Sequence, residues 1–171
     1  MKQAELNQLL SNENLLKERI KEFQIQGILK KQKEDHDEIE GHILKAENNL
    51  RFVSENIPLG FYDWAITGSY YACYHASLAL ILTKGYSSKN HLATLCNLVQ
   101  EFYKKGLNEE DIILLSKLLD YEDILFYVES KNKREDATYS TKTKFEKAEV
   151  EQLRVKAVLF ISKVKHILSQ D

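Results

Sequence analysis

The chain has 171 residues, with 24 basic and 26 acidic side chains and a formal net charge of -2. That balance excludes a protein drawn to nucleic acid or anionic lipid by its overall field, so such binding would need a local patch. With 43% apolar residues, 29% charged residues, one proline and six glycines, the composition excludes general disorder and predicts a single all-helical fold, because little interrupts the helical spacing.

Residues 2–26 read as a first helix, with Leu6, Leu9, Leu10, Leu16, Ile20 and Phe23 in a broken apolar stripe that lapses at Glu13. Such a stripe predicts a helix that leans on the outside of the domain or on a partner. Gly27 and the charged run KKQKEDHDE mark a junction, unless the helix resumes at Ile28. A second helix is clearer: Ile39, Ile43, Ala46, Leu50, Val53 and Ile57 alternate at spacings of four and three and stop before Pro58. Gly60 then turns the chain, and so short a connection makes the next helix an antiparallel neighbour.

That next helix, FYDWAITGSYYACYHASLALILTK from Phe61 to Lys84, is apolar or small on nearly every side, which marks it as the buried centre. Ala65, Gly68, Ala72, Ala76 and Ala79 form a narrow stripe that lets another helix approach closely. Trp64, Tyr71, His75, Leu78 and Leu82 form a second stripe. With Tyr62, Tyr70 and Tyr74 it brings polar tips that need hydrogen-bond partners or a wet cleft. Gly85 ends this helix, Ser87 or Ser88 caps a fourth running to about Lys105, and Asn108 with Glu109, Glu110 and Asp111 opens a fifth. The fifth carries Leu114, Leu118, Tyr121, Leu125 and Val128 on its core face. Residues 130–144 read as a solvated, mainly basic loop or helix end. Thr143 and Glu146 have capping-box spacing for a last helix whose seam is Val150, Leu153, Ala157, Phe160, Ile161, Val164 and Leu168.

The N-terminus lacks an apolar signal core, and the longest mostly apolar run, Tyr70 to Leu82, is shorter than the roughly 20 residues a membrane span needs. A cytoplasmic protein without membrane association is the expectation. Cys73 and Cys96 lie in apolar helical surroundings and read as buried reduced thiols. No phosphate-binding glycine loop, paired-histidine zinc motif, cysteine pair or serine elbow is present, so neither a metal nor a cofactor is expected. His75 reads as a core histidine bonded to a tyrosine or a carbonyl. Lys89 and His91, at a helix start, read either as plain helix-start residues or as a phosphate site. Lys131, Lys133, Arg134, Lys142 and Lys144, with Tyr139, form either a phosphate-recognising group or a charged surface loop.

The segments YDWAITGSYYACYHASLALILTKG, SSKNH and KREDATY together resemble the HEPN domain family over about His36 to Ser169. The resemblance implies an up-and-down bundle of four to five core helices, preceded here by an additional N-terminal helix. Residues 1–34 are then a helical extension and 35–171 the HEPN-like bundle. It also implies a homodimer, often partnered with a small nucleotidyltransferase in toxin–antitoxin pairs, and nucleotide or RNA as ligand. Ribonuclease members carry an arginine followed four to six residues later by a histidine. Arg134 matches the arginine, but Tyr139 stands where the histidine would be, and tyrosine, with a pKa of about 10, is poorly suited to proton transfer at neutral pH. A non-catalytic binding module is therefore expected, with Arg134, Tyr139, His91, Lys89 and Lys133 as first candidates for phosphate or ligand and His75, Tyr71 and Asp63 as second. A metal-independent ribonuclease with a non-standard base and a purely structural dimer are the alternatives.

Overall fold

The computed structural model describes residues 3–119 and 145–170. Its elements are α1 (Gln3–Ser11), α2 (Glu13–Ile25), β1 (Leu29–Lys31), α3 (His36–Asn56), α4 (Tyr62–Thr83), β2 (Tyr86–Ser88), α5 (His91–Phe102), α6 (residues 109–119) and α7 (Lys147–Leu168). The fold is a helical bundle with α4 at its centre, packed against α3, α5 and α7.

The small stripe of α4 sets its distance from α3. Ala65, Ala72, Ala76 and Ala79 are completely buried, and a Cβ placed on Gly68 would stand 2.8 Å from Val53 Cγ2. Glycine is needed there because the neighbouring helix already occupies the space a side chain would take. On another side, Leu80, Ile81, Phe160, Ile161 and Val164 join the main core, which leaves only the stripe through Trp64 and Tyr71 open to solvent.

The single N-terminal helix expected over residues 2–26 is two helices. Asn12 adopts an extended backbone and its side chain accepts from Leu15 N at 3.1 Å, so the lapse in the apolar stripe is a helix cap. Nor do these helices lie loosely outside: Leu6, Leu9, Leu16 and Ile20 are buried in the same cluster as the apolar residues of α5. The charged junction holds a strand, β1, which pairs antiparallel with β2 in the register Leu29 with Ser88 and Lys31 with Tyr86. Three-residue strands are too short for alternation to declare them in a sequence. Gly85, at φ +72°, turns the chain out of α4 and lets its carbonyl receive Gln32 N at 3.0 Å.

Two expected caps also differ. Ser87 and Ser88 belong to β2, and the cap of α5 is Asn90, whose Oδ1 accepts from Ala93 N at 2.9 Å. Ser88 instead braces the loop, its hydroxyl accepting from Asn90 N at 3.0 Å. Glu146 is itself the residue before α7, without a side-chain cap bond, and Thr143 lies outside the described residues. The start of α6 matches the expectation: Asn108 and Asp111 exchange backbone-to-side-chain bonds at 3.1 and 2.7 Å, and Lys163 of α7 donates to Asp111 at 2.6 Å. Of the core face expected for this helix, Leu114 and Leu118 are buried, while Tyr121, Leu125 and Val128 lie outside the described residues.

Candidate functional site

The polar tips of α4 gather around one cleft of about 790 Å³, a size that admits a small ligand. Tyr71, Tyr74 and Leu78 of α4 form one side, and the β1–β2 ribbon brings Lys30 and the segment Ser87 to Asn90 to the other. Pairing β1 with β2 is what carries Lys30 to the same cleft as Lys89, although they stand 59 positions apart in the sequence. His91, in the first turn of α5, completes the lining.

Hydrogen bonds and ring contacts hold these side chains. The Tyr70 hydroxyl, on a side chain that is otherwise buried, bonds to the His91 ring, and the Tyr74 ring lies 4.3 Å from the same imidazole between centroids. Tyr74 also donates its hydroxyl proton to the Ser88 carbonyl at 3.5 Å, tying α4 to β2. A buried phenol needs such a partner, and here the partner is the histidine that faces the cleft.

His42 of α3 also lines the cleft and meets His75 of α4, Nδ1 to Nδ1, at 3.0 Å. His75 was expected to bond a tyrosine or a carbonyl; a second histidine takes that place. The sequence contains a signal for the pair: His42 stands 16 residues before Pro58 and His75 stands 15 after Gly60, so an antiparallel hairpin brings them level. Burial holds both imidazoles below their ordinary pKa; His75 falls to about 4, with His42 and Lys45 adding to the effect, whereas Glu38 opposes the shift at His42. Glu38 Oε1 lies 4.0 Å from His42 Nε2. This carboxylate favours a proton on Nε2, which makes His42 Nδ1 the acceptor and His75 Nδ1–H the donor. Gln32 Nε2 donates to the other Glu38 oxygen.

Of the sequence candidates, Lys89, His91 and Tyr71 meet at the cleft, and His75 adjoins it through His42. Asp63 does not join them: it is exposed in the first turn of α4, where partial burial pushes its carboxyl upward. Arg134, Tyr139 and Lys133 lie outside the described residues. Lys30, His42, Gln32 and Glu38 were missed, because two belong to the short ribbon and its exit and two to the polar side of α3. Cys73 and Cys96 are buried free thiols with pKa values raised chiefly by burial, unsuited to nucleophilic work. Among the described residues no group of three or more metal-ligating side chains is found, and no helix is long and apolar enough to cross a membrane.

An apolar surface lies on the α3–α4 hairpin. Phe52, Phe61, Trp64 and Tyr71 are exposed there, Trp64 by 55%, and the Phe52 ring reaches over Gly68. Large aromatic side chains left in water on one hairpin mark a surface suited to association.

A family model for the HEPN domain matches residues 39–167. The protein named "Putative toxin MJ0142" from Methanocaldococcus jannaschii is 35% identical over 132 residues, covering 77% of this chain and 82% of its own length. A second protein of that organism, "Putative toxin MJ0605", is 28% identical over 81% of this chain and 94% of its own length. A "UPF0332 protein" from Archaeoglobus fulgidus is 26% identical over 79% of this chain and 98% of its own.

Proposed function

The chain belongs to the HEPN domain family, and on that premise we propose that it is a nucleotide- or RNA-binding module of the toxin–antitoxin kind, with the cleft beside α4 as its phosphate site. The observation that carries this reading is the meeting of Lys30, Lys89 and His91 with Tyr71 and Tyr74 in one cleft. Lysines supply charge to phosphate oxygens, and tyrosine faces can stack on bases of any sequence. Arg134, with Lys133 and Tyr139 nearby in sequence, supplies a guanidinium fork for a second phosphate contact.

Two relatives carry the word toxin in their names, which supports a toxin-type role. The partners proposed are a second copy of the chain, docked through the exposed aromatic side chains of Phe52, Phe61 and Trp64, and a small nucleotidyltransferase. Arg134 without a following histidine makes the module a binder more than a nuclease: arginine stays protonated and takes no proton from a 2'-hydroxyl.

A second reading, a metal-independent ribonuclease, is favoured by one observation: the Tyr70 hydroxyl orients His91 at the cleft wall, as a general base would need. Binding and cleavage of an oligoribonucleotide in EDTA separate the two. The binding reading expects affinity that falls as salt rises, weakening in Arg134→Ala, with negligible cleavage. Robust cleavage abolished by His91→Ala would establish the nuclease instead, and dimerisation without any RNA or nucleotide binding would leave a structural role. Tyr139→His restores the family spacing and is expected to create cleavage if Arg134 faces the bound phosphate.

A further inference from the structure

The His42–His75 pair is used by neither reading, yet His42 lines the cleft and His75 stands directly behind it. The two rings face each other nearly head-on, with centroids 5.2 Å apart and Nδ1 atoms 3.0 Å apart. One proton fills that gap when both imidazoles are neutral. A first added proton can sit on an outward Nε2 and leave the inner hydrogen bond intact. Complete protonation of both rings would put two N–H groups against each other and break it.

The charges around the pair decide whether the first proton is accepted. From α3, Glu38 favours it and Lys45 opposes it; Gln32 already engages one Glu38 oxygen. Tyr74 of α4 packs its ring 6.2 Å from His75, and His91 of α5 lies beyond that ring. Lys30 of the ribbon and Lys89, just after it, share the cleft with His42. Among the described residues, Lys45 and Glu38 are the charged side chains that act on the pair with opposite signs, while Lys30 and Lys89 stand elsewhere in the cleft that His42 lines. An anion in the cleft would reverse that balance.

We propose that the His42–His75 pair couples anion binding to proton uptake, so that a phosphate-bearing ligand enters the cleft together with one proton taken up by the two imidazoles. The inference rests on the cleft being the phosphate site. Linkage makes the effect reciprocal: the anion raises the affinity of the pair for a proton, and acid tightens the anion.

The test follows the histidine Cε1–H resonances of the full chain by NMR between pH 4 and 8, with and without a short oligouridylate. Its phosphodiesters and bases do not titrate between about pH 5 and 8, so the proton counted belongs to the protein. Assignment comes from His42→Gln and His75→Gln, and His91→Gln removes the other imidazole that lines the cleft. The expected result is an upward move of about one pH unit in the first titration step of the pair. Affinity should rise about tenfold over the corresponding range. That gain should shrink in His42→Gln/His75→Gln and persist in His91→Gln. Oligouridylate that shifts the lysine and His91 signals but leaves the pair's titration unmoved would overturn this proposal and keep the phosphate site. Absence of any shift in the cleft would overturn both. If a variant fails to fold, sequential assignment of the isotope-labelled unaltered chain identifies the resonances of the pair instead.

Discussion

The two sides of α4 are built from the same twenty-two residues and do opposite things. Toward α3 the helix offers Ala65, Gly68, Ala72 and Ala76, a surface with almost no chemistry, whose purpose is to fix a short interhelical distance. Toward the cleft it offers Tyr71 and Tyr74, and beside them the His75 imidazole; Tyr74 bonds to β2 and His75 to His42 of α3. One nearly uniformly apolar sequence thus carries both a core and a site. Volume specifies one side and polar tips the other, so substitutions on the first should be read in stability and those on the second in protonation or binding.

The largest expected effect comes from filling the close approach. In Gly68→Leu the side chain must enter space held by Val53 and Phe52, so the helices separate or the side chains strain, at a cost of about 3 kcal/mol in urea unfolding. Tyr71→Leu, three residues along on the exposed side, should change stability by less than about 0.5 kcal/mol. Equal losses from the two would break the distinction between the faces.

A smaller effect lies in the dependence on acid. Both imidazoles bind protons less readily in the folded chain than in the unfolded one, so the unfolded state takes up more protons as pH falls. The stability of the neutral pair is complete above a pH of about 6.5 and is lost progressively as pH falls toward about 4. With discount for partial exposure, the loss attributable to the pair is about 2 kcal/mol. Melting curves of the wild type and of His75→Gln across this range should converge on acidification, since the variant has less to lose. Parallel curves would show that the imidazoles titrate alike in both states.

How far the sequence could be read divides along the same line. The stripe of small residues, the antiparallel hairpin and the α6 capping box follow from local spacing, because helix faces repeat within seven residues. Lys89, His91, Tyr71 and His75 were legible as polar residues in suspicious places. What joins them was not. Lys30 reaches the cleft only through a three-residue strand pairing across 57 positions in register with Ser87, and no local pattern announces such a contact. The break at Asn12 was visible as a weak stripe, but a lapse in hydrophobicity does not by itself distinguish a solvated helix from a capped one.

The smallest effect on stability is expected where the comparison is purest, at the two lysines of the cleft. Lys30 and Lys89 are exposed, and their ammonium groups stay in water while the ribbon is held by backbone pairing. Lys30→Ala/Lys89→Ala should therefore leave the melting temperature nearly unchanged, with less than about 0.5 kcal/mol lost. Its consequence belongs to binding. Each phosphate contact removed should lower the slope of log affinity against log salt by about 0.7 for a single-stranded RNA, so the double variant should lose about 1.4. Oligoribonucleotide titrations at several salt concentrations measure that slope directly. An unchanged slope with full stability would move the phosphate contacts away from the ribbon, leaving the wet side of α4 without the partner that this cleft gives it.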